Sequence, residues 1–262
     1  MAEAPDRDVR LRADALTLAF GPRVIQRDLS FTVSRGSIFA VMGGSGCGKS
    51  TVLKALIGLL RPSRGVVQVD GEDFWAAGDQ RRAEIGRGFG VLFQNGALWS
   101  SMTVAENVAL PMQMFTTLDH DTIAALADLK LALVGMRAAG SMMPSELSGG
   151  MRKRAGLARA LALDPDLLFF DEPSAGLDPI TSRRLDDLIL ELRAGFGATV
   201  VLVSHELSSL FAICDDGVFL DAETKTAIAH GSPAALRDGC DHPAVRAFMD
   251  RARLVDEGRR GS

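Results

Sequence analysis

The segment that carries the clearest chemistry is a glycine-rich loop that ends in Lys49 and Ser50. It fits the pattern G-x-x-x-x-G-K-[ST], in which successive backbone N–H groups turn inward around phosphate oxygens. Lys49 is expected to reach the β- and γ-phosphates of a nucleotide, and the Ser50 hydroxyl is expected to bind Mg²⁺. The residues predicted to contact the nucleotide here are Gly43, Gly44, Ser45, Gly46, Cys47, Gly48, Lys49, Ser50 and Thr51.

The residues on either side of this loop predict the elements that must position it. Residues 37–42 form a short apolar run typical of a buried strand, and residues 51–57 place apolar side chains at helical spacing. A strand, a glycine loop and a helix in that order put a triphosphate at the positive end of a helix dipole. The flanks therefore favour a true nucleotide site over a chance match.

Two carboxylates at the end of a second apolar run supply the other half of this chemistry. Residues 166–172 predict a buried strand that ends in Asp171 and Glu172. Asp171 is expected to hold the Mg²⁺ shell, usually through water. Because neighbouring side chains of a strand point to opposite faces, Glu172 is expected to face the γ-phosphate and polarise an attacking water.

A short segment between these two motifs makes the pattern specific. Residues 147–151 read Leu-Ser-Gly-Gly-Met and resemble the signature segment of ABC transporters. Together with the flanking motifs, the resemblance to the ATP-binding subunit of these transporters covers nearly the whole chain. The resemblance implies that Ser148, Gly149 and Gly150 open a helix and face the γ-phosphate bound by a second copy. Free N–H groups and the positive dipole at a helix start attract such an anion. ATP and Mg²⁺ are then the expected cofactors, and a homodimer is the expected assembly.

Four further residues match positions that this family uses. Gln94 would touch Mg²⁺ and the attacking water, and its loop would report the nucleotide state to the partner. Asp178 would cross the dimer interface, and His205, after a predicted strand, would bond the γ-phosphate. Phe20 would stack on adenine, with burial in the core as the alternative. The expected catalytic residues are Glu172, His205, Gln94 and Lys49, and the expected metal ligands are Ser50, Gln94 and Asp171.

The motif order implies an α/β fold: a P-loop NTPase (RecA-like) core with a small antiparallel β subdomain and an inserted α-helical subdomain. The insertion is expected to meet the membrane partner, and apolar spacing predicts helices over 104–114 and 121–134 within it. The expected segments are the antiparallel β subdomain with the P-loop (1–94), the helical insertion (95–146), the signature helix with the rest of the core (147–239) and a C-terminal tail (240–262).

The tail carries apolar residues that predict one more helix. Four of them between 244 and 249 would form one face of a short helix that begins near Pro243. Such a face needs a cover, which is either the chain's own core or a neighbouring subunit. The last residues, 257–262, are expected to be disordered.

Charge and composition argue against a nucleic-acid binder or a membrane-spanning chain. The formal net charge is −4, and the densest basic cluster, residues 152–154, is expected to be a solvated helix face or a wall of the half-site. Cys47 is read as a small residue tolerated at a free position of the loop. No apolar stretch approaches the ~20 residues needed to cross a bilayer, and residues 1–7 lack the form of a signal peptide. The chain is expected to be peripheral, at the cytoplasmic face of the inner membrane.

Details around the motifs narrow the resemblance within the family. Residues 93–111 resemble the corresponding region of ATPases paired with MCE-protein systems, including the Mla-type machinery that moves phospholipid between bacterial membranes. Met151 and the segments 171–180 and 242–248 agree with this. The resemblance implies an integral membrane permease dimer, an MCE-domain protein and a small STAS-type regulatory subunit as partners.

Three other functions stay open at this point. One keeps the ATPase and makes it an importer for a polar solute such as an amino acid. Another is a soluble, non-transport ABC ATPase that acts on DNA or ribosomes, although the chain carries one cassette and only a short insertion. The third is a regulatory nucleotide-binding module, which would need a degraded acidic motif, whereas Glu172 and His205 are both present.

Overall fold

Two β-sheets organise residues 8–250, the part of the chain that this computed structural model describes. The strands are β1 (Val9–Phe20), β2 (Arg23–Ser34), β3 (Ile38–Gly43), β4 (Arg64–Val69), β5 (Glu72–Asp73), β6 (Phe89–Leu92), β7 (Leu167–Asp171), β8 (Thr199–Val203), β9 (Asp216–Leu220) and β10 (Ala227–His230). The helices are α1 (Lys49–Leu56), α2 (Asp79–Arg87), α3 (Val104–Phe115), α4 (His120–Leu133), α5 (Gly149–Ala160), α6 (Pro179–Phe196), α7 (Leu207–Ile213) and α8 (Pro233–Gly239).

The larger sheet has six strands in the order β10-β9-β3-β8-β7-β6. Its five strands β9, β3, β8, β7 and β6 pair in parallel, and β10 is an antiparallel edge. Helices cover both faces of a parallel sheet, which is why its strands read as continuous apolar runs; every residue of β3 and β8 is buried. The strand predicted before the glycine loop and the strand predicted before the two carboxylates are therefore confirmed.

The smaller sheet is antiparallel and has four strands in the order β2-β1-β4-β5. Strands β1 and β2 form a long hairpin, in which Phe20 pairs with Arg23 at the turn. The predicted strands at 31–33 and 66–71 lie in this sheet, and Phe20 is the last residue of β1. The mixed α/β fold with a small antiparallel sheet and a helical insertion agrees with the fold class expected from the motifs.

Two apolar clusters lie on opposite faces of the parallel sheet. Alternate residues of β3 divide between them, because neighbouring side chains of a strand point to opposite faces. Ile38 and Met42 join the cluster that includes α3, α4 and α5, while Phe39 and Val41 join the cluster beneath the antiparallel sheet. Strand β3, which leads into the glycine loop, is therefore anchored from both sides.

The helical insertion follows β6 and begins with local capping signals. Thr103 accepts a hydrogen bond from the Glu106 N–H and the Glu106 carboxylate binds back to Thr103, a capping box that starts α3. Asp119 caps α4 in a similar way through the Thr122 N–H. Both helices begin within one residue of the predicted starts. The exact division of the chain into four segments stays a prediction.

The described part of the C-terminal tail packs on the chain's own core. Residues 243–250 are helical, and Val245, Phe248 and Met249 are buried in the same cluster as α3 and α5. The Phe248 ring meets the Phe219 ring of β9 edge-on at 5.1 Å. Of the two covers considered for this apolar face, the chain's own core is the one observed. The predictions made for residues 1–7 and 257–262 lie outside the described residues.

None of the helices between residues 8 and 250 combines the length and the apolar composition that a bilayer crossing would need.

Candidate functional site

The glycine loop leaves the end of β3 and feeds directly into α1. Gly43 has φ 143°, and a Cβ atom there would lie 2.4 Å from the Leu220 carbonyl oxygen of the neighbouring strand β9. Gly48 has φ 99° and caps α1, and its Cβ would lie 2.6 Å from a methyl carbon of Ile25. Both positions therefore require glycine. The helix start is held open toward the loop, as an anion site needs.

The Lys49 ammonium lies across the mouth of this loop. Its Nζ donates to the carbonyl oxygens of Gly43 at 2.9 Å and Gly44 at 3.0 Å, and the residue is buried. Ser45 and Gly46 form the exposed tip of the loop. A buried cation beside free backbone N–H groups fits phosphate oxygens, so the loop and Lys49 are suited to a triphosphate.

Ser50 and Asp171 bring the two motifs into contact across the sheet. The Ser50 hydroxyl donates to Asp171 Oδ1 at 3.1 Å, and burial raises the pKa of this carboxyl group. A hydroxyl and a carboxylate are hard oxygen donors of the kind Mg²⁺ prefers, with substrate phosphates and water completing the shell. Residues 8–250 hold no cluster of three His, Cys, Asp or Glu side chains arranged for a metal. Mg²⁺ held partly by a nucleotide needs no such cluster.

Glu172 reaches the site by a different route from the one expected. Strand β7 ends at Asp171, and Glu172 has φ 50° in the left-handed region, so strand alternation does not set its direction. Its N–H donates to the Val203 carbonyl of β8 at 2.8 Å, and the residue is buried. The strand geometry expected to direct Glu172 is therefore absent, while its position toward the γ-phosphate stays a prediction. A turn of the backbone aims this carboxylate.

Glu172 and His205 contact each other directly. His205 Nδ1 donates to Glu172 Oε1 at 2.8 Å, and the His205 backbone N–H lies 3.4 Å from Oε2. Since a carboxylate only accepts, the Nδ1 atom carries the proton, and in a neutral ring Nε2 is then an acceptor. His205 can donate to a phosphate only if the ring is doubly protonated or turns away from Glu172. The sequence alone did not reveal this pair.

Gln94 and Phe20 lie on the surface, apart from these contacts. Gln94 is exposed in the turn after β6, and within residues 8–250 no hydrogen bond joins its side chain to Ser50 or Asp171. The Phe20 ring is 53% exposed at the end of β1. The alternative that placed Phe20 in the core is therefore wrong. Its contact with adenine stays a prediction, as does the metal contact of Gln94.

The signature segment opens a helix, as the resemblance implied. Ser148 is the N-cap of α5 and accepts a hydrogen bond from the Met151 N–H, while Gly149 is exposed. Gly150 packs beside Leu177 and Thr181 of the same chain. Among the described hydrogen bonds, none joins the signature residues to the glycine loop of their own chain. The helix start is therefore free to receive an anion from outside.

Asp178 is engaged within its own chain. It caps α6 by accepting from the N–H groups of Ile180 at 3.1 Å and Thr181 at 3.0 Å. The Thr181 hydroxyl also donates to this carboxylate. That bond, together with the two backbone bonds, holds the pKa of Asp178 below its usual range. Its side chain is still exposed. The cap explains the acid at this position without a dimer, so the interface contact stays a prediction.

Three residues near the site differ from the expectations or were not foreseen. Lys153 is buried and donates to the carbonyl oxygens of Glu172 and Ala175, so the basic cluster is only in part a solvated face. Cys47 is buried, and burial raises its thiol pKa, so it does not occupy a free position. Gln26 Nε2 binds the Cys47 carbonyl at 2.6 Å and ties the β1–β2 hairpin to the loop. A lone glutamine in a strand gave no signal of this role.

Comparisons with known proteins agree with the geometry. A family model described as ABC transporter matches residues 26–175. The intermembrane phospholipid transport system ATP-binding protein MlaF of Escherichia coli (strain K12) is 44% identical over 88% of this chain and 84% of its own length. The probable ribonucleotide transport ATP-binding protein mkl of Mycobacterium tuberculosis (strain H37Rv) is 40% identical over 94% of this chain and 68% of its own length.

A solved structure shares the fold. The ATP-binding cassette MJ0796, in a dimeric post-hydrolysis state with ADP and Pi, superposes with a TM-score of 0.78 at 25% identity, over 84% of this chain and 97% of that one. Its match extends the agreement from the motifs to the arrangement of the sheets and helices. With the family model matching most of the core and the glycine loop, acidic motif and signature all in place, this chain belongs to the ABC transporter family and is one of its ATP-binding, ATP-hydrolysing members.

Proposed function

We propose that this chain is the ATPase subunit that powers phospholipid transport between bacterial membranes, together with a permease dimer and an MCE-type system. The observation that carries this proposal is the 44% identity to MlaF, which extends over 88% of this chain. The cargo does not touch an ATPase subunit, so the site geometry supports the hydrolysis and the relatives support the cargo. A small STAS-type subunit and a position at the cytoplasmic face of the inner membrane complete the proposal.

In this proposal, two copies bind ATP between the glycine loop of one and the signature helix of the other. Lys49 and the α1 start hold the phosphates, and Ser148 with the free N–H groups of α5 meets the γ-phosphate of the opposite copy. The exposure of Ser148 and Gly149, and their lack of described bonds to their own loop, support this arrangement. Closure of the two copies would exclude water from the phosphate.

Hydrolysis then depends on how the polar residues place one water molecule. Glu172 orients and deprotonates it, and His205, released from Glu172, binds the phosphate oxygens. Mg²⁺ bound near Ser50 and Asp171, with Gln94 reaching the same shell, would neutralise charge that develops on the phosphates. Little covalent chemistry is asked of the chain, because phosphoryl transfer is accelerated mainly by positioning and charge stabilisation.

A second cargo has one observation in its favour. The mkl relative is named for ribonucleotide transport and is 40% identical over 94% of this chain. That name agrees with the alternative of a polar solute rather than a lipid. We favour phospholipid because the identity to MlaF is higher and spans a larger share of that relative's length, 84% against 68%.

The experiment that tests the assignment is affinity purification of the full chain from detergent-solubilised membranes of its host, followed by mass spectrometry. A multi-span permease recovered with an MCE-domain protein supports the phospholipid reading. The purified complex is then reconstituted in liposomes and assayed for ATP-dependent movement of labelled phospholipid and, separately, of a labelled ribonucleotide.

The outcomes separate the candidate functions. ATP-dependent phospholipid movement that is lost in Lys49→Ala establishes the proposal. Ribonucleotide uptake without phospholipid movement would replace the cargo and leave the hydrolytic mechanism intact. Recovery of no membrane protein would contradict the transport function and favour a non-transport ATPase.

A further inference from the structure

Lys153 is a buried cation that the hydrolytic residues above do not account for. It lies in α5, five residues after Ser148, and is only 6% exposed. Burial lowers the pKa of its ammonium group, while the negative charges of Glu172 and Glu206 oppose that shift. Burying an ammonium group is unfavourable unless hydrogen bonds compensate for the lost water. A side chain needed only to fill this space would be apolar.

The bonds that Lys153 makes lead to the segment that carries Glu172. Its Nζ donates to the Glu172 carbonyl oxygen at 3.0 Å and also to the Ala175 carbonyl oxygen. The Ala175 N–H in turn lies 3.3 Å from the Glu172 carbonyl, so the residues between them form a tight turn. Hydrogen bonds from a charged donor are stronger than neutral ones. Lys153 therefore fixes the turn that follows Glu172.

That turn needs fixing because Glu172 is in an unfavourable backbone conformation. Its φ of 50° lies in the left-handed region, which is sterically unfavourable for an L-residue. A relaxed backbone would point the carboxylate elsewhere, since no strand geometry directs it. The ammonium of Lys153 and the Val203 carbonyl hold the peptides on either side of Glu172 in place.

The position of Lys153 in α5 gives this contact a second consequence. The same helix begins at Ser148, which in the proposed dimer serves the nucleotide of the opposite copy, whereas Glu172 serves the nucleotide of its own copy. A rigid helix about one and a half turns long separates Ser148 from Lys153. In that dimer, Lys153 would link a movement of the signature helix at one nucleotide to the carboxylate at the other.

We propose that Lys153 is a positioning residue that couples the two ATP sites, by joining the signature helix of one site to the Glu172 turn of the other. The inference rests on the proposed sandwich dimer. Loss of the ammonium group should leave ATP binding in place, because Lys153 touches none of the loop residues among its described bonds. It should misplace Glu172 and uncouple the two sites.

The test compares Lys153→Met and Lys153→Arg in the full chain, purified with its membrane partners. ATPase rates are measured over a range of ATP concentrations, and nucleotide affinity is measured separately with a fluorescent ATP analogue. For Lys153→Met, kcat should fall on the order of 10- to 100-fold, as when a catalytic group moves by about 1 Å. The affinity should stay unchanged, and the Hill coefficient should fall from above unity to unity. Lys153→Arg should recover part of both losses.

Lys130→Met is the matched control. Lys130 is a second buried lysine, 5% exposed in α4 and paired with Asp164, away from the nucleotide segments. Its loss should lower the melting temperature and leave kcat and the Hill coefficient at wild-type values. Lys153→Gln, which keeps a neutral donor, serves as the second variant if Lys153→Met does not fold.

Two results would overturn the inference. One is a folded Lys153→Met complex with wild-type kcat and cooperativity, and the other is a wild-type complex without cooperativity in ATP. In both cases the wild-type complex still hydrolyses ATP, and the proposed function stands. A wild-type complex that fails to hydrolyse ATP would contradict the proposed function as well.

Discussion

Glu172 is held by contacts to its N–H, its carbonyl and its carboxylate. Val203 accepts from the N–H, Lys153 donates to the carbonyl, and His205 donates to the carboxylate. A residue kept in a sparsely populated conformation by its surroundings is typical of functional sites, where the strain keeps a group ready for its task. These contacts, rather than a strand, set the direction of the Glu172 carboxylate.

Replacing Glu172 with Gln tests its role as the group that activates water. The amide keeps the size of the side chain and can still accept from His205, but it cannot take a proton. Hydrolysis by the complex should fall about 10²- to 10⁴-fold, the usual contribution of a general base, while ATP affinity is kept and closed dimers accumulate. Single-turnover ATPase assays measure the loss of hydrolysis, and nucleotide-binding assays measure the ATP affinity.

Glu191→Gln, an exposed carboxylate on α6, is the control and should hydrolyse ATP normally. Turnover near the wild-type rate in Glu172→Gln would remove this residue from the general-base role.

At this scale the sequence predicted the types and order of the site residues but not how the structure arranges all of them. The types and order of Lys49, Ser50 and Asp171 follow from nucleotide chemistry, and the structure brings Ser50 and Asp171 together as expected. The left-handed turn at Glu172 has no local sequence signal, because it is stabilised by partners on β8 and α5 that are distant in the chain. The Glu172–His205 contact was missed for the same reason.

Among the elements, α6 and α7 are joined by a buried acid. Asp186 on α6 accepts a hydrogen bond from the Ser209 hydroxyl on α7 at 2.9 Å, and both residues are buried. Burial raises the pKa of Asp186 to about 6, with Asp187 adding to the rise and Ser209 and Arg183 opposing it. Helix α7 begins two residues after His205, so this bond also anchors the segment that leads to the site.

The raised pKa of Asp186 predicts a pH-dependent stability. Between its unfolded pKa of 3.8 and its folded value of about 6, the native chain binds more protons than the unfolded chain. The contribution of Asp186 to stability is therefore full at low pH and is lost as the pH rises through about 6. Asp186→Asn lacks this loss, so its free energy of unfolding relative to the wild type should rise over that interval by up to about 3 kcal/mol. Its melting temperature relative to the wild type should rise with it.

Thermal melts of the wild type and Asp186→Asn across this pH range give the comparison, with Glu191→Gln, at an exposed position of the same helix, as the control. Parallel melting profiles for the wild type and Asp186→Asn would show that Asp186 titrates normally.

The helices also show what a sequence can and cannot predict about elements. The starts of α3 and α4 were predictable because Thr103 and Asp119 are local caps that act within one turn. The burial of Lys153 was not predictable, because the side of α5 that carries Lys153 is buried by packing against the turn after β7. The small residues that follow it, Ala155 and Gly156, are the one hint that this helix is closely packed.

At the scale of the whole molecule, the parallel sheet separates two apolar clusters, and the C-terminal residues complete one of them. Val245, Phe248 and Met249 join the cluster that also holds α3 and α5. Phe248 meets Phe219 of β9, the strand that pairs with β3 at Gly43. These residues therefore cover the face of the sheet opposite the cluster that holds Cys47 and α1. The sequence left the cover of this apolar face open between the core and a neighbouring subunit.

Phe248→Ala tests in solution whether the apolar face of the tail is covered by the chain's own core or by a neighbouring subunit. If the ring fills the chain's own core, its loss should lower the unfolding free energy by about 3–5 kcal/mol, the usual cost of a buried Phe→Ala change. Chemical denaturation of the isolated chain measures this, and Ala247→Ser, at an exposed position of the same helix, should leave the midpoint unchanged. Because Phe248 packs on the face of the sheet opposite the cluster that holds Cys47 and α1, the folded fraction should bind ATP with wild-type affinity. A variant with wild-type unfolding but weaker association between copies would instead place the ring at a subunit interface, against the packing on Phe219.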